Sequence, residues 1–200
     1  PNTIAGDLYA QVSKVINGTG GNSNYTQATI AIINLFKEEK GNILFDIGGS
    51  RMRFAKVNDE NGNSISDPVI VKTPDNYIDS ISLFNKTVTE ISGGEEINYL
   101  IGGIAGVFNT EGARLLLSPN LKEWERKPLK EDLSRMTGAQ RVIIKNDTDM
   151  TGLGEAVFGA GRDHDIVAYL TFSTGIGGSL IVNKDIAPVS YTHLTLPTTC

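Results

Sequence analysis

Three short segments carry residue types that can do chemistry on a phosphate ester or anhydride. The first, Asp46-Ile47-Gly48-Gly49-Ser50, lies between two strand-like runs. Glycines there permit a tight turn and let amide N–H groups approach an anion with no side chain in the way. Ser50 adds a hydroxyl, and Asp46 at a strand end can hold Mg²⁺ directly or through water. The second, Thr171 to Ser179 (TFSTGIGGS), is a loop of the same kind, with Thr174, Gly175, Gly177 and Gly178 as candidates to cradle the outer phosphates of a nucleotide. It lacks the lysine of a Walker A loop, and a strand follows where a dinucleotide fingerprint needs a helix. Taken singly, each glycine loop also fits a plain hairpin. The third segment is Asn146-Asp147, between a strand-like run and a helical one. A carboxylate at such a strand end faces the crevice of an open α/β sheet. Asp147 can take the proton of a sugar hydroxyl as that oxygen attacks a γ-phosphate, and Asn146 offers a donor and an acceptor to sugar hydroxyls. Asp147 or Thr148 fits equally well as the N-cap of the helix that follows.

The elements around these segments alternate. Asn42 to Ile47, Arg51 to Val57 and Val69 to Thr73 read as strands, and Tyr77 to Ile91 as an amphipathic helix stopped by Gly93 and Gly94. Ile97 to Ile101 reads as a strand leading into a Gly102–Gly106 loop, and Arg114 to Leu117 as a short strand. A helix around Leu129 to Met136 ends at Gly138; then come a strand at Arg141 to Lys145, a helix at Asp149 to Phe158, and strands at Ile166 to Thr171 and Gly178 to Val182. This order predicts an α/β fold with mixed sheets flanked by helices. The leading segment, residues 1–41, holds a Gly/Asn/Ser-rich loop and a helical stripe at Ile30, Ile33 and Phe36, and reads as the end of something upstream. Residues 189–200 break the rhythm. Val189 to Thr198 back-translate onto the end of a transposon adapter used in DNA library preparation, so a non-native tail after about Pro188 is expected, with a natural β-prone tail as the alternative.

Composition narrows the classes. The 200 residues are 40% hydrophobic and 20% charged, with a net charge of -5. That is globular composition without the basic face of a nucleic-acid binder. Cys200 is the only cysteine, so no internal disulfide forms and a reducing, cytoplasmic setting is expected. No apolar stretch has the length to cross a bilayer.

Four blocks in order, DIGGS (46–50), SPNL with Trp124 and Pro128-Leu129, NDTDMTGLGEAVFGAGR (146–162) and YLTFSTGIGGSLIVN (169–183), resemble the ROK family of sugar kinases and sugar-responsive repressors. The resemblance covers about residues 42 to 188. It implies the actin-like ATPase (ribonuclease H-like) fold, with a first lobe over 42–142 and an incomplete second lobe opening at 143–188. It implies ATP and Mg²⁺ as cofactors, with phosphates on Asp46, Gly48, Gly49, Ser50 and on Thr174, Gly175, Gly177, Gly178. It makes Asp147 the catalytic base, Asn120, Asn146 and Asp147 the sugar contacts, and Glu155 a supporting residue on the helix.

The departures from the family pattern are Ser50 for Thr, Lys145 for Glu before Asn-Asp, Ile104-Ala105-Gly106 for a Val-Pro-Gly turn, and Arg126 for Gly after Trp124. Lys145 is expected to lower the affinity of Asp147 for its proton or to shift its position. The family's later His-Gly-Glu-x-Gly-His and zinc motifs are missing from this sequence, so zinc binding is not expected within it. The expected function is ATP-dependent phosphorylation of a hexose or N-acetylhexosamine, with the fragment itself inactive and a homodimer open to the full-length protein. A sugar-sensing repressor domain is the alternative. A third is that residues 1–41 end a separate fused enzyme. Uncovered sheet edges and apolar surface predict that the isolated chain aggregates.

Overall fold

The computed structural model of the chain describes residues 41–58, 66–109, 114–172 and 176–187. The expected helix within 1–41, the tail at 189–200, and Thr174 and Gly175 lie outside the described residues. No helix among the described residues is long and apolar enough to cross a membrane.

Strand β1 (Asn42–Ile47) is almost wholly buried, as a continuous apolar run in a central strand should be. It pairs antiparallel with β2 (Arg51–Lys56), and β2 pairs antiparallel with β3 (Val69–Lys72). On its other side β1 runs parallel to β4 (Tyr99–Ile104), and β4 parallel to β7 (Arg141–Asn146). The large sheet therefore reads β3-β2-β1-β4-β7, with β2 alone reversed. Two short strands, β5 (Val107–Phe108) and β6 (Leu115–Leu117), form a hairpin beside it.

One face of this sheet carries α1 (Tyr77–Ser92) and α2 (Leu129–Thr137). Asn76 caps α1 by accepting from the Asp79 amide, and left-handed Gly93 ends it. Phe84 of α1 meets Phe45 and Phe54 edge-on, at 5.2 Å and 4.9 Å between ring centroids. Trp124, at the end of a 3₁₀ turn (Lys122–Trp124), packs edge-on against Tyr77. The opposite face carries α3 (Asp147–Val157), whose Met150, Leu153 and Ala156 pack against Leu44 and Ile101. The second side of α3 rests on a small sheet, β10-β9-β8, built from β8 (Ile166–Phe172), β9 (Ile176–Val182) and β10 (Asp185–Ile186). Thus α3 is shared by both sheets.

The mixed sheets flanked by helices agree with the expected fold class. Three elements differ from expectation. The loop expected over 171–179 is shorter, since β8 runs to Phe172 and β9 starts at Ile176, so Gly177 and Gly178 are strand residues. Gly102 and Gly103 belong to β4 and not to a loop. A Cβ at Gly102 would lie 2.1 Å from the Phe45 carbonyl oxygen and 2.4 Å from its ring, so a glycine inside this strand reflects close packing. The helix expected from Asp149 starts at Asp147, directly after β7, because Asn146 is its cap: the Asn146 carbonyl oxygen Oδ1 accepts from the amides of Thr148 and Asp149. The cap expected at Asp147 or Thr148 thus lies one residue earlier. Strands β5 and β10 were too short to be read from periodicity.

Candidate active site

Asp46 stands near the end of β1, and its register partners form one row across the sheet: Arg53, Asp46, Gly103, Lys145. Side chains in such a row share a face, and this is the face that carries α3. The helix starts above Gly103, where an added Cβ would lie 3.2 Å from the Asp147 Cα. Glycine at 103 therefore lets Asp147 settle onto the sheet between Asp46 and Lys145.

Burial raises the proton affinity of both carboxyls. In Asp46 desolvation outweighs the Arg53 guanidinium, which donates from Nη1 to Oδ2 at 2.6 Å, and the negative charge of Asp147 pushes it further up. In Asp147 desolvation outweighs the hydrogen bonds from Thr148, whose amide donates to Oδ1 at 2.8 Å. The lowering expected from Lys145 is not found. Lys145 is exposed, and burial of Asp147 decides the direction.

The turn after β1 is held by Gly48, whose N–H donates to the Arg51 carbonyl at 2.9 Å and whose carbonyl accepts from Thr73 Oγ1 at 2.7 Å. The Gly48 amide is therefore engaged within the turn, while no hydrogen bond among the described residues uses the amides of Gly49 and Ser50. Gly49 abuts Asn120: a Cβ there would fall 2.5 Å from the Asn120 Cβ. These two residues, with Pro74, Asp75, Lys122 and Trp124, line a cavity of about 260 Å³. Asn146 and Asp147 do not line it, but two hydrogen bonds run from Asn146 toward the segment that enters its wall at Pro119. Asn146 Nδ2 donates to the Gly106 carbonyl at 2.6 Å, and Ser118 Oγ, two residues before Asn120, donates to the Ala105 carbonyl at 2.7 Å.

The second glycine hairpin reaches the head of α3. Gly177 opens toward α3, since a Cβ there would stand 2.5 Å from Thr148 Oγ1. Gly178 lies beside it in β9. Asp46, Gly49, Asn120, Asn146, Asp147 and Gly177 are thus joined by direct packing or short hydrogen-bonded links. Glu155 is not among them: two turns along α3, its Oε2 accepts from the Ala160 amide at 3.2 Å and braces the turn after the helix.

Sequence reasoning missed Arg53, Thr73 and Thr148. Arg53 was findable, since residues 46 and 53 are equidistant from the hairpin turn and must face each other. Thr73 gave no local signal, and Thr148 was read only as a possible helix cap. For a magnesium ion, Asp46 and Asp147 offer the one or two carboxylates that such a cation takes beside phosphate oxygens, with Oδ2 of Asp46 held by Arg53 and Oδ1 left for the ion. No cluster of three or more His, Cys, Asp or Glu exists among the described residues.

The ROK family model matches residues 43–188. A glucokinase of Thermotoga maritima is 39% identical over 105 residues, covering 52% of this chain and 33% of the relative. A glucokinase of Streptomyces coelicolor is 33% identical over 143 residues, covering 70% of this chain and 43% of the relative. The crystal structure of a ROK family glucokinase from Streptomyces griseus, solved with glucose and AMPPNP, superposes with a TM-score of 0.65 at 30% identity, over 74% of this chain and 46% of that one. The chain therefore spans between a third and a half of the length of these three proteins.

Proposed function

The chain belongs to the ROK family, and from that membership we propose that it is the front portion of an ATP-dependent sugar kinase with the actin-like ATPase fold. Its substrate is a hexose or N-acetylhexosamine, and it works in the cytoplasm. Residues 42–142 make the first lobe and 143–188 open the second. The observation that carries this reading is the meeting of Asp46 and Asp147 beside the glycine turns, at the C-terminal ends of β1 and β7.

In the proposed reaction a sugar hydroxyl oxygen bonds to the γ-phosphorus and the bond from that phosphorus to the β-phosphate oxygen breaks. Asp147 takes the hydroxyl proton. A carboxylate whose proton affinity is raised by burial is a stronger base near neutral pH than an exposed one. Asn146 and Asn120 orient the sugar. The free amides of Gly49 and Ser50, with Thr174, Gly175, Gly177 and Gly178, hold the phosphates, and Asp46 would hold Mg²⁺, which neutralises phosphate charge when bound. Retention of both carboxylates and both glycine turns favours an enzyme over a sugar-sensing repressor.

The test is Asp147→Asn in the full-length protein. Turnover is expected to fall by about 10²- to 10⁴-fold while the affinity for sugar is kept. Undiminished phosphorylation would remove Asp147 from its role.

A further inference from the structure

The hairpin between β9 and β10 pairs Val182 with Asp185 and leaves Asn183 and Lys184 as its two turn residues. Both are left-handed, at φ 51° and 63°. Asn suits the first position of such a turn, but the second strongly prefers glycine, and a lysine there costs backbone energy. The Lys184 side chain supplies the compensation. Its Nζ lies 2.6 Å from the carbonyl oxygen of Ala156, 2.7 Å from that of Arg162, 2.9 Å from that of His164 and 3.1 Å from that of Gly161. These oxygens come from the last turn of α3 and the loop after it, where the helix dipole is negative. An ammonium has three hydrogens, so four oxygens surround it as a charge cage and not as one bond each. Asp163 and Asp165 add further negative charge nearby.

We propose that the carbonyl ring of Ala156, Gly161, Arg162 and His164 is a binding site for a small monovalent cation, which Lys184 fills with its own ammonium. The tethered cation fastens the β9–β10 hairpin, and with it the small sheet, to the C-terminal end of α3. The site lies at the opposite end of α3 from Asp147 and does not depend on the proposed phosphoryl transfer.

The experiment is Lys184→Gly in this chain, because glycine suits the turn, so that any loss of stability comes from the missing side chain and its ammonium and not from the backbone. In tetramethylammonium chloride, whose cation is too bulky for the ring and has no N–H, the variant is expected to melt about 5 °C below the parent chain. Potassium or ammonium chloride at equal ionic strength should restore most of that loss, while the parent melts alike in all three salts. A variant as stable as the parent in tetramethylammonium, or one that gains nothing selective from potassium or ammonium, overturns the proposal. If the variant does not fold in tetramethylammonium, folding restored by potassium or ammonium supports the proposal, and failure in all three salts overturns it. A second measurement uses the parent chain. Caged ammonium hydrogens should exchange slowly enough to give a ¹⁵N–¹H correlation near neutral pH that Lys184→Gly lacks, and absence of that correlation overturns the proposal.

Discussion

Asp46 and Asp147 each hold a proton more tightly in the fold than their ordinary value of 3.8. The folded chain then binds more protons than the unfolded one at any pH between that value and the raised one. Stability is fullest below 3.8 for these two groups and declines as pH climbs through the raised values. The melting temperature of the chain should therefore fall over this range, and Asp147→Asn should flatten the fall and raise the melting point at pH 7 by about 3 °C. A melting profile that neither Asp46→Asn nor Asp147→Asn alters would contradict this. Arg126 offers a second test. Its φ of 61° is the conformation that glycine adopts freely, and its side chain is exposed. Arg126→Gly should stabilise the chain by about 1 kcal/mol in denaturant unfolding. The carboxylates and glycine turns were legible in the sequence because each marks a strand end or a turn. Thr73 and Lys184 were not, because their partners lie 25 and 28 residues away, and nothing local announces them.

At the scale of elements, most strands and helices of six residues or more were readable from period and caps, as β1 and α1 illustrate. What was misread was β4, where Gly102 and Gly103 looked like loop residues. Their purpose is the approach of the Phe45 ring and of α3, which only the assembled sheet reveals. The same logic governs Gly49. A methyl group there would meet the Asn120 Cβ at 2.5 Å and its carbonyl at 3.0 Å, and neither can swing aside as a flexible side-chain end would. Gly49→Ala should push the turn away from the Asn120 loop and cost about 1–3 kcal/mol, read as a lower denaturant midpoint.

Across the whole molecule, the small sheet covers α3 with one face only. Its other face presents Ile166 at 67% and Leu170 at 57% exposure, an apolar surface of the kind that drives association. Leu170→Lys should lower the scattering mass of the purified chain while leaving its melting temperature within about 2 °C; unchanged scattering would rule out this face as the cause of association. The join between β7 and α3 matters at the same scale. The strand ends at Asn146 and the helix starts at Asp147, with no residue between them. Such a seam accepts exchanges of side chain but not of chain length. One inserted residue would turn the helix by about 100° about its axis, sending Met150 and Leu153 to solvent and the carboxylate at its head away from Asp46. In any library of insertions and deletions, this seam should be the stretch that returns no folded clones.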